Sequence, residues 1–209
     1  MKKKTICIVT IMSVFLIIFS LGVLFFNQEN TFKTSNVIYD FSSADKSNKK
    51  TIFCSYSCDV GDLRELVGNA DYVFVGKVKS NNGYSYENPI EKEIESGSIL
   101  LYDTYTNYSI QVISNIKGKL DKTNLIDIKK WGGLDYYEEF YYVVENDVLP
   151  TIENTYIFTA YAQSDGTLLV SGSYSNIPLD EKNKDQQIKL FQRAYKHQKK
   201  FDRERYSFK

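Results

Sequence analysis

The chain holds one histidine, one tryptophan, three cysteines and three prolines in 209 residues, and no net charge at neutral pH. One histidine excludes a metal site built mainly on imidazoles, and three cysteines cannot supply an all-thiolate zinc site of four ligands. His197 is also the sole imidazole available to a nucleophile–base pair, and it stands beside Lys199 and Lys200, where a solvated helix residue is expected. The sequence therefore carries no cofactor signature and no catalytic set, and the chain reads as a non-enzyme. What it has in quantity is aromatic: 17 Tyr and 13 Phe, within an apolar share of 43% that excludes a wholly disordered chain.

The neutral total conceals three regions. Lys2, Lys3 and Lys4 give +3 at the start. Residues 181–209 hold ten Lys/Arg against four Asp/Glu, a net +6, and the stretch between has 13 basic against 22 acidic residues, a net −9. An acidic body argues against nucleic acid as a partner, because phosphate neutralisation needs a positive face there.

After the three lysines, 22 residues from Thr5 to Phe26 carry no charge. At about 1.5 Å per residue a helix of that length spans roughly 33 Å, enough for a hydrocarbon core of about 30 Å. A cleaved signal has a shorter apolar run and a small-residue cleavage site, and Phe25-Phe26-Asn27-Gln28 is a poor one. Cys7 lies at the start of the run, the wrong place for lipid attachment. The expectation is a signal-anchor helix over 1–26, with a cleaved signal as the alternative. The lysines hold the N-terminus inside, so either form places the rest of the chain on the extracytoplasmic side. Residues 27–50, rich in Asn, Ser, Lys and Thr, are expected to be a flexible spacer, with 37–41 as an optional short strand.

Residues 51–179 read as a small barrel. Asp62-Leu63-Arg64-Glu65 has capping-box form and opens a short helix to Val67, with Gly68 expected at its positive-φ terminus. Alternation predicts strands over 72–79, 108–112, 125–131, 156–162 and 167–171, the last two joined by Asp165-Gly166. Gly76 inside the first strand predicts a bulge or sharp bend. Two insertions, 80–104 and 132–150, are left as long loops. Residues 180–209 form a basic tail, and Ile188, Phe191 and Tyr195 recur at helical steps within 180–201. That helix either packs on the barrel or offers its positive face to anionic lipid or an anionic cell-wall polymer, partners compatible with a bacterial composition.

Cys54-Ser55-Tyr56-Ser57-Cys58, then Asn69 to Val78, then Tyr108 to Ile113 with Lys117-Gly118, then Asn154 to Phe158 before Asp165-Gly166, resemble in order and spacing the netrin-like OB-fold domain. This is the fold of tissue inhibitors of metalloproteinases and of bacterial surface proteins of similar pattern. The resemblance covers 54–179 and implies a five-stranded barrel. It also implies that Cys54, were it the first residue of a processed chain, would chelate a protease zinc through its free α-amine and carbonyl. Here Cys54 lies inside the chain, and its spacing to Cys58 is C-x-x-x-C rather than C-x-C. Inhibition is therefore the alternative to a binding or interaction module.

Two further sites are expected. Cys54 and Cys58 are predicted to form a local disulfide through a tight turn at 55–57, with two free thiols as the alternative. In the second insertion, Asp135, Glu138, Glu139, Glu145 and Asp147 lie among Tyr136, Tyr137, Phe140, Tyr141 and Tyr142. Acidic groups among tyrosines suit capture of a basic protein partner or calcium, and a solvated loop is the alternative. The partner set is taken as Asp135, Tyr136, Tyr137, Glu138, Glu139, Tyr141 and Tyr142, in a loop over 135–147 dispensable for folding. Glu91, Glu93 and Glu95 alternate as an exposed face does.

Overall fold

A computed structural model of the chain describes residues 49–209. The expected signal-anchor, the optional strand at 37–41 and the spacer up to residue 48 lie outside the described residues. Among the described residues no helix is long and apolar enough to cross a membrane.

The described chain is mainly β. In order it contains β1 (Lys49–Ile52), α1 (Leu63–Asn69), β2 (Tyr72–Ile94), β3 (Gly97–Lys117), β4 (Leu125–Trp131), β5 (Gly133–Leu134), β6 (Tyr141–Val144), β7 (Thr155–Ala162), β8 (Leu168–Val170), β9 (Asn176–Leu179) and α2 (Lys184–Lys196). The main sheet runs β2-β3-β4-β8-β7-β9, and β2 also pairs with β7. Five strands, β2-β3-β4-β8-β7, thus close into a ring. Every contact in the ring is antiparallel except β4 with β8, where Lys129 and Lys130 face Leu169 and Val170 in parallel.

Period-two alternation fills that ring. Phe74, Val78, Tyr108, Ile110, Val112, Ile126, Ile128, Phe158 and Leu168 form one buried cluster, with the Phe74 and Phe158 rings stacked at 5.3 Å. The alternate residues Val73, Val75 and Ile157 are buried too, so this part of the sheet is also covered on its outer face. Gly76 behaves as expected. The register shifts between Val75 and Gly76, and a Cβ there would stand 2.5 Å from Ile110 Cγ2.

The first expected insertion is not a loop. β2 and β3 continue past the barrel as a two-stranded arm whose last pair is Ile94 with Gly97. Gly83 and Pro89 interrupt the alternation, and both fall where the register shifts, between Asn81 and Tyr84 and between Glu87 and Ile90. Bulges absorb a positive φ or a missing donor without ending a strand. The second insertion carries structure as well: β6 pairs antiparallel with β5 and parallel with β1. β1 spans Lys49–Ile52, so a strand falls on the last two residues assigned to the spacer. β9, on the outer side of β7, had not been expected.

Asp62 caps α1 by accepting from the Arg64 amide. Gly68, however, is a buried residue within the helix rather than its terminus. A Cβ there would meet the Lys199 carbonyl oxygen at 2.0 Å, so glycine serves close approach. What approaches is the C-terminal segment. After α2, which buries Gln187, Phe191 and Ala194, residues 199–209 run back across the barrel as a strap. Arg203 and Arg205 donate to the Asn69 carbonyl and pair with Asp71, Arg205 also reaches the Gly68 and Ala70 carbonyls, and the Lys209 amide closes on Gly166. These guanidinium groups satisfy the open carbonyl end of α1, where cations are favoured.

Candidate binding surfaces

Asp135 is buried, and its carboxylate faces its own loop. Oδ1 accepts from the amides of Glu139 and Phe140, and Oδ2 from that of Tyr137. It therefore organises the turn between β5 and β6 and offers nothing to a partner directly. Glu138, at φ +60°, and Glu139 project from that turn and are exposed.

The tyrosines of this turn meet the arm. Tyr136 is 51% exposed and Tyr137 50%. The Tyr136 ring lies 4.7 Å from that of Tyr102 and 5.3 Å, nearly perpendicular, from that of Tyr86; Tyr137 stands edge-on to Tyr136 at 5.3 Å. Tyr137 donates its hydroxyl proton to the Leu100 carbonyl, which ties the turn to the arm. The Tyr84 phenol is pushed up to about 12 by burial and then by the neighbouring Tyr141. Burial, then the nearby Glu138 and Asp135, also raises the Tyr86 phenol. Tyr142 is half-buried in β6.

Rings and carboxylates together form an aromatic shelf with an acidic rim. The chain already seats its own ammonium groups on this chemistry: Lys50 Nζ lies 3.3 Å above the Phe140 ring centre, and Lys129 pairs with Glu87 beneath the Tyr105 ring at 5.7 Å. Cations over aromatic faces gain about 0.5–1 kcal/mol at exposed sites. The arm tyrosines Tyr84, Tyr86 and Tyr102 had not been assigned to this surface. The only signal available was their alternation with polar residues in a segment whose Gly and Pro spoke for a loop.

Asp147 does not belong to the shelf. It is fully buried and paired with Lys130, also fully buried, while Ser175 Oγ donates to the same carboxylate at 3.0 Å and accepts from Lys130 at 2.8 Å. Burial raises the Asp147 carboxyl and lowers the Lys130 ammonium, each opposed by the other's charge. Glu145 is exposed, and its backbone is held by Ile52 and Ser173. Val143, Val144 and Asp147 occupy buried positions, so part of the expected loop over 135–147 belongs to the packed body.

Cys54 and Cys58 are free thiols, a correction to the expected bridge. Residues 54, 56 and 58 are half-buried while 53, 55 and 57 are exposed, and no turn falls between Phe53 and Tyr56. This stretch bends only at Ser57 and Cys58, and a disulfide needs Cα atoms within about 7 Å. Tyr56 ties the segment to the body: its hydroxyl accepts from Cys54 Sγ at 2.9 Å and from the Ser173 amide at 3.0 Å, and meets Ser173 Oγ at 2.8 Å. Burial raises the Cys58 thiol. Both thiols line a cavity of about 510 Å³ at one end of the barrel, with Trp131, Tyr161 and Arg203 opposite.

Of the remaining residues, Glu91 accepts from Ser98 on the arm, and Glu93 and Glu95 are exposed there. His197 caps the end of α2 in an exposed position. Among the described residues no three His, Cys, Asp or Glu side chains converge to hold a metal ion. No protein-family model matches the chain, and no curated protein matches it in sequence.

Proposed function

We propose that the chain is a membrane-anchored, non-catalytic interaction module held on the extracytoplasmic side by its N-terminal apolar run, and that its barrel is of the netrin-like OB type. The ring order supports that fold: numbered within the ring, the strands run 1-2-3-5-4 and back to 1, with the 3–5 contact parallel, as a five-stranded Greek-key barrel requires. The observation that carries the function is the shelf of Tyr86, Tyr102, Tyr136 and Tyr137, partly exposed rings packed on one another, with the exposed Glu138 and Glu139 on the same turn. Tyrosine buries area while keeping a polar tip, and carboxylates at the rim select a basic extracellular protein partner.

The test is a Tyr102→Ser/Tyr136→Ser double variant, which leaves the barrel cluster untouched. Wild-type protein displayed on cells should capture a basic partner that the variant releases at least tenfold more readily. Equal capture by both would remove the shelf from the account.

Inhibition of a metalloprotease is the competing reading, and it requires a mature chain that begins at Cys54. Phe53 is 75% exposed, so the bond before Cys54 is accessible. Cutting there would detach β1 and its four pairs with β6. The mass of the native protein separates the two readings.

A further inference from the structure

A second concave surface lies on the barrel flank where α2 ends and the strap begins. It is a cavity of about 830 Å³ whose wall contains Lys117, Lys119, Lys196, Lys199, Lys200 and Arg205, with Asp71 as its only acidic residue. Three separate segments supply these cations: the end of β3 and the turn after it, the last turn of α2, and the strap.

Half of that charge is engaged within the fold. Arg205 pairs with Asp71, Lys199 with Glu65 and Asp62, and Lys117 donates to the Val67 and Gly68 carbonyls at the end of α1. Lys119, Lys196 and Lys200 are exposed and have no carboxylate or carbonyl partner among the described residues. Like charges crowd the site: burial, with Arg205 and Arg203 alongside, pushes the Lys117 ammonium down to about 8. An anion entering the cleft relieves that repulsion. Tyr72, Tyr195 and Phe201 add aromatic and apolar surface between the lysines.

We propose that this cleft binds the phosphates of a linear polyol phosphodiester polymer, an inference that rests on the extracytoplasmic reading above. Lysine ammonium groups bind phosphate as mobile point charges, and three of them from three segments suit successive phosphates better than one. A cleft open to solvent and lined by lysines from three segments admits a chain of successive phosphates. The acidic body disfavours long nucleic acid, whose charge would extend beyond the cleft.

The experiment uses the full chain purified in nonionic detergent and titrates it with oligo(glycerol phosphate) at low salt. Wild type should bind, binding should weaken as salt rises, and Lys119→Gln/Lys196→Gln/Lys200→Gln should lose at least tenfold in affinity. The three lysines are exposed, so thermal melting of the triple variant should match wild type, and Tyr136→Ser should bind as wild type does. Absence of binding, or equal binding by the triple variant, overturns the proposal. So does inorganic phosphate binding as tightly as the oligomer, phosphatidylglycerol vesicles binding where the oligomer does not, or an oligonucleotide binding more tightly than the oligomer. Because this titration is done on purified protein, its failure stands apart from any finding about membrane side, which surface labelling of intact cells reports.

Discussion

Lys130 is carried into the barrel by the same alternation that buries Ile126 and Ile128. An ammonium there is tolerated only because Asp147 and Ser175 meet it. Removing one partner leaves an uncompensated charge, which costs about 3–5 kcal/mol, whereas replacing both by apolar residues of similar volume is often neutral. Asp147→Leu should therefore lower stability by about 3–5 kcal/mol in denaturant titration, and Lys130→Met/Asp147→Leu should recover most of it. A double variant as weak as the single would show that the pair has a further role. Lys117 gives a second test. Its folded value of about 8 lies below its ordinary 10.5, so the unfolded chain holds more protons and stability should rise between pH 8 and 9. Above that, the raised Cys58 thiol and the Tyr84 and Tyr161 phenols, both near 12, reverse the slope, because there the folded state holds the extra protons. Lys117→Gln should abolish the rise, and a rise that survives the change assigns it elsewhere. The inward place of Lys130 was legible from its stripe. Its partner was not, because Asp147 comes from a loop whose path no periodicity records.

Among elements, the strands that fill the ring were legible because one face is buried and the pattern has period two. The arm was not, since bulges at Gly83 and Pro89 break that pattern without breaking the pairing. β1, β5, β6 and β9 were missed for another reason: strands of two to four residues are too short to show a period. The arm and the loop differ in what they support. Replacing 88–101 with a two-residue turn removes no member of the barrel cluster, so the melting temperature should shift by only a few degrees. Deleting 135–147 removes β6 and Asp147 and should leave no cooperative transition. Docking of the strap on α1 has its own probe in Gly68→Ala. Its methyl would displace the Lys199 carbonyl, so protease cleavage within 199–209 should accelerate at least tenfold. An unchanged cleavage rate would mean the strap does not depend on that approach.

At the scale of the molecule, charge is arranged by site. The acidic stretch supplies the rim of the shelf, while the basic tail closes α1 with some of its cations and leaves others in the cleft on the flank. The described body thus carries two surfaces of opposite sign, each with its own chemistry. On the proposed reading, the lysines and the apolar run at the start place that body on the extracytoplasmic side, and the shelf has a function only where a partner can reach it. The most direct measurement is crosslinking on intact cells with a membrane-impermeant reagent, comparing the full-length chain with its Tyr102→Ser/Tyr136→Ser variant at equal abundance. The account predicts a discrete adduct with a basic partner from the wild type and none from the variant. The same adduct from both, or no reaction of the wild type with the reagent, would contradict it.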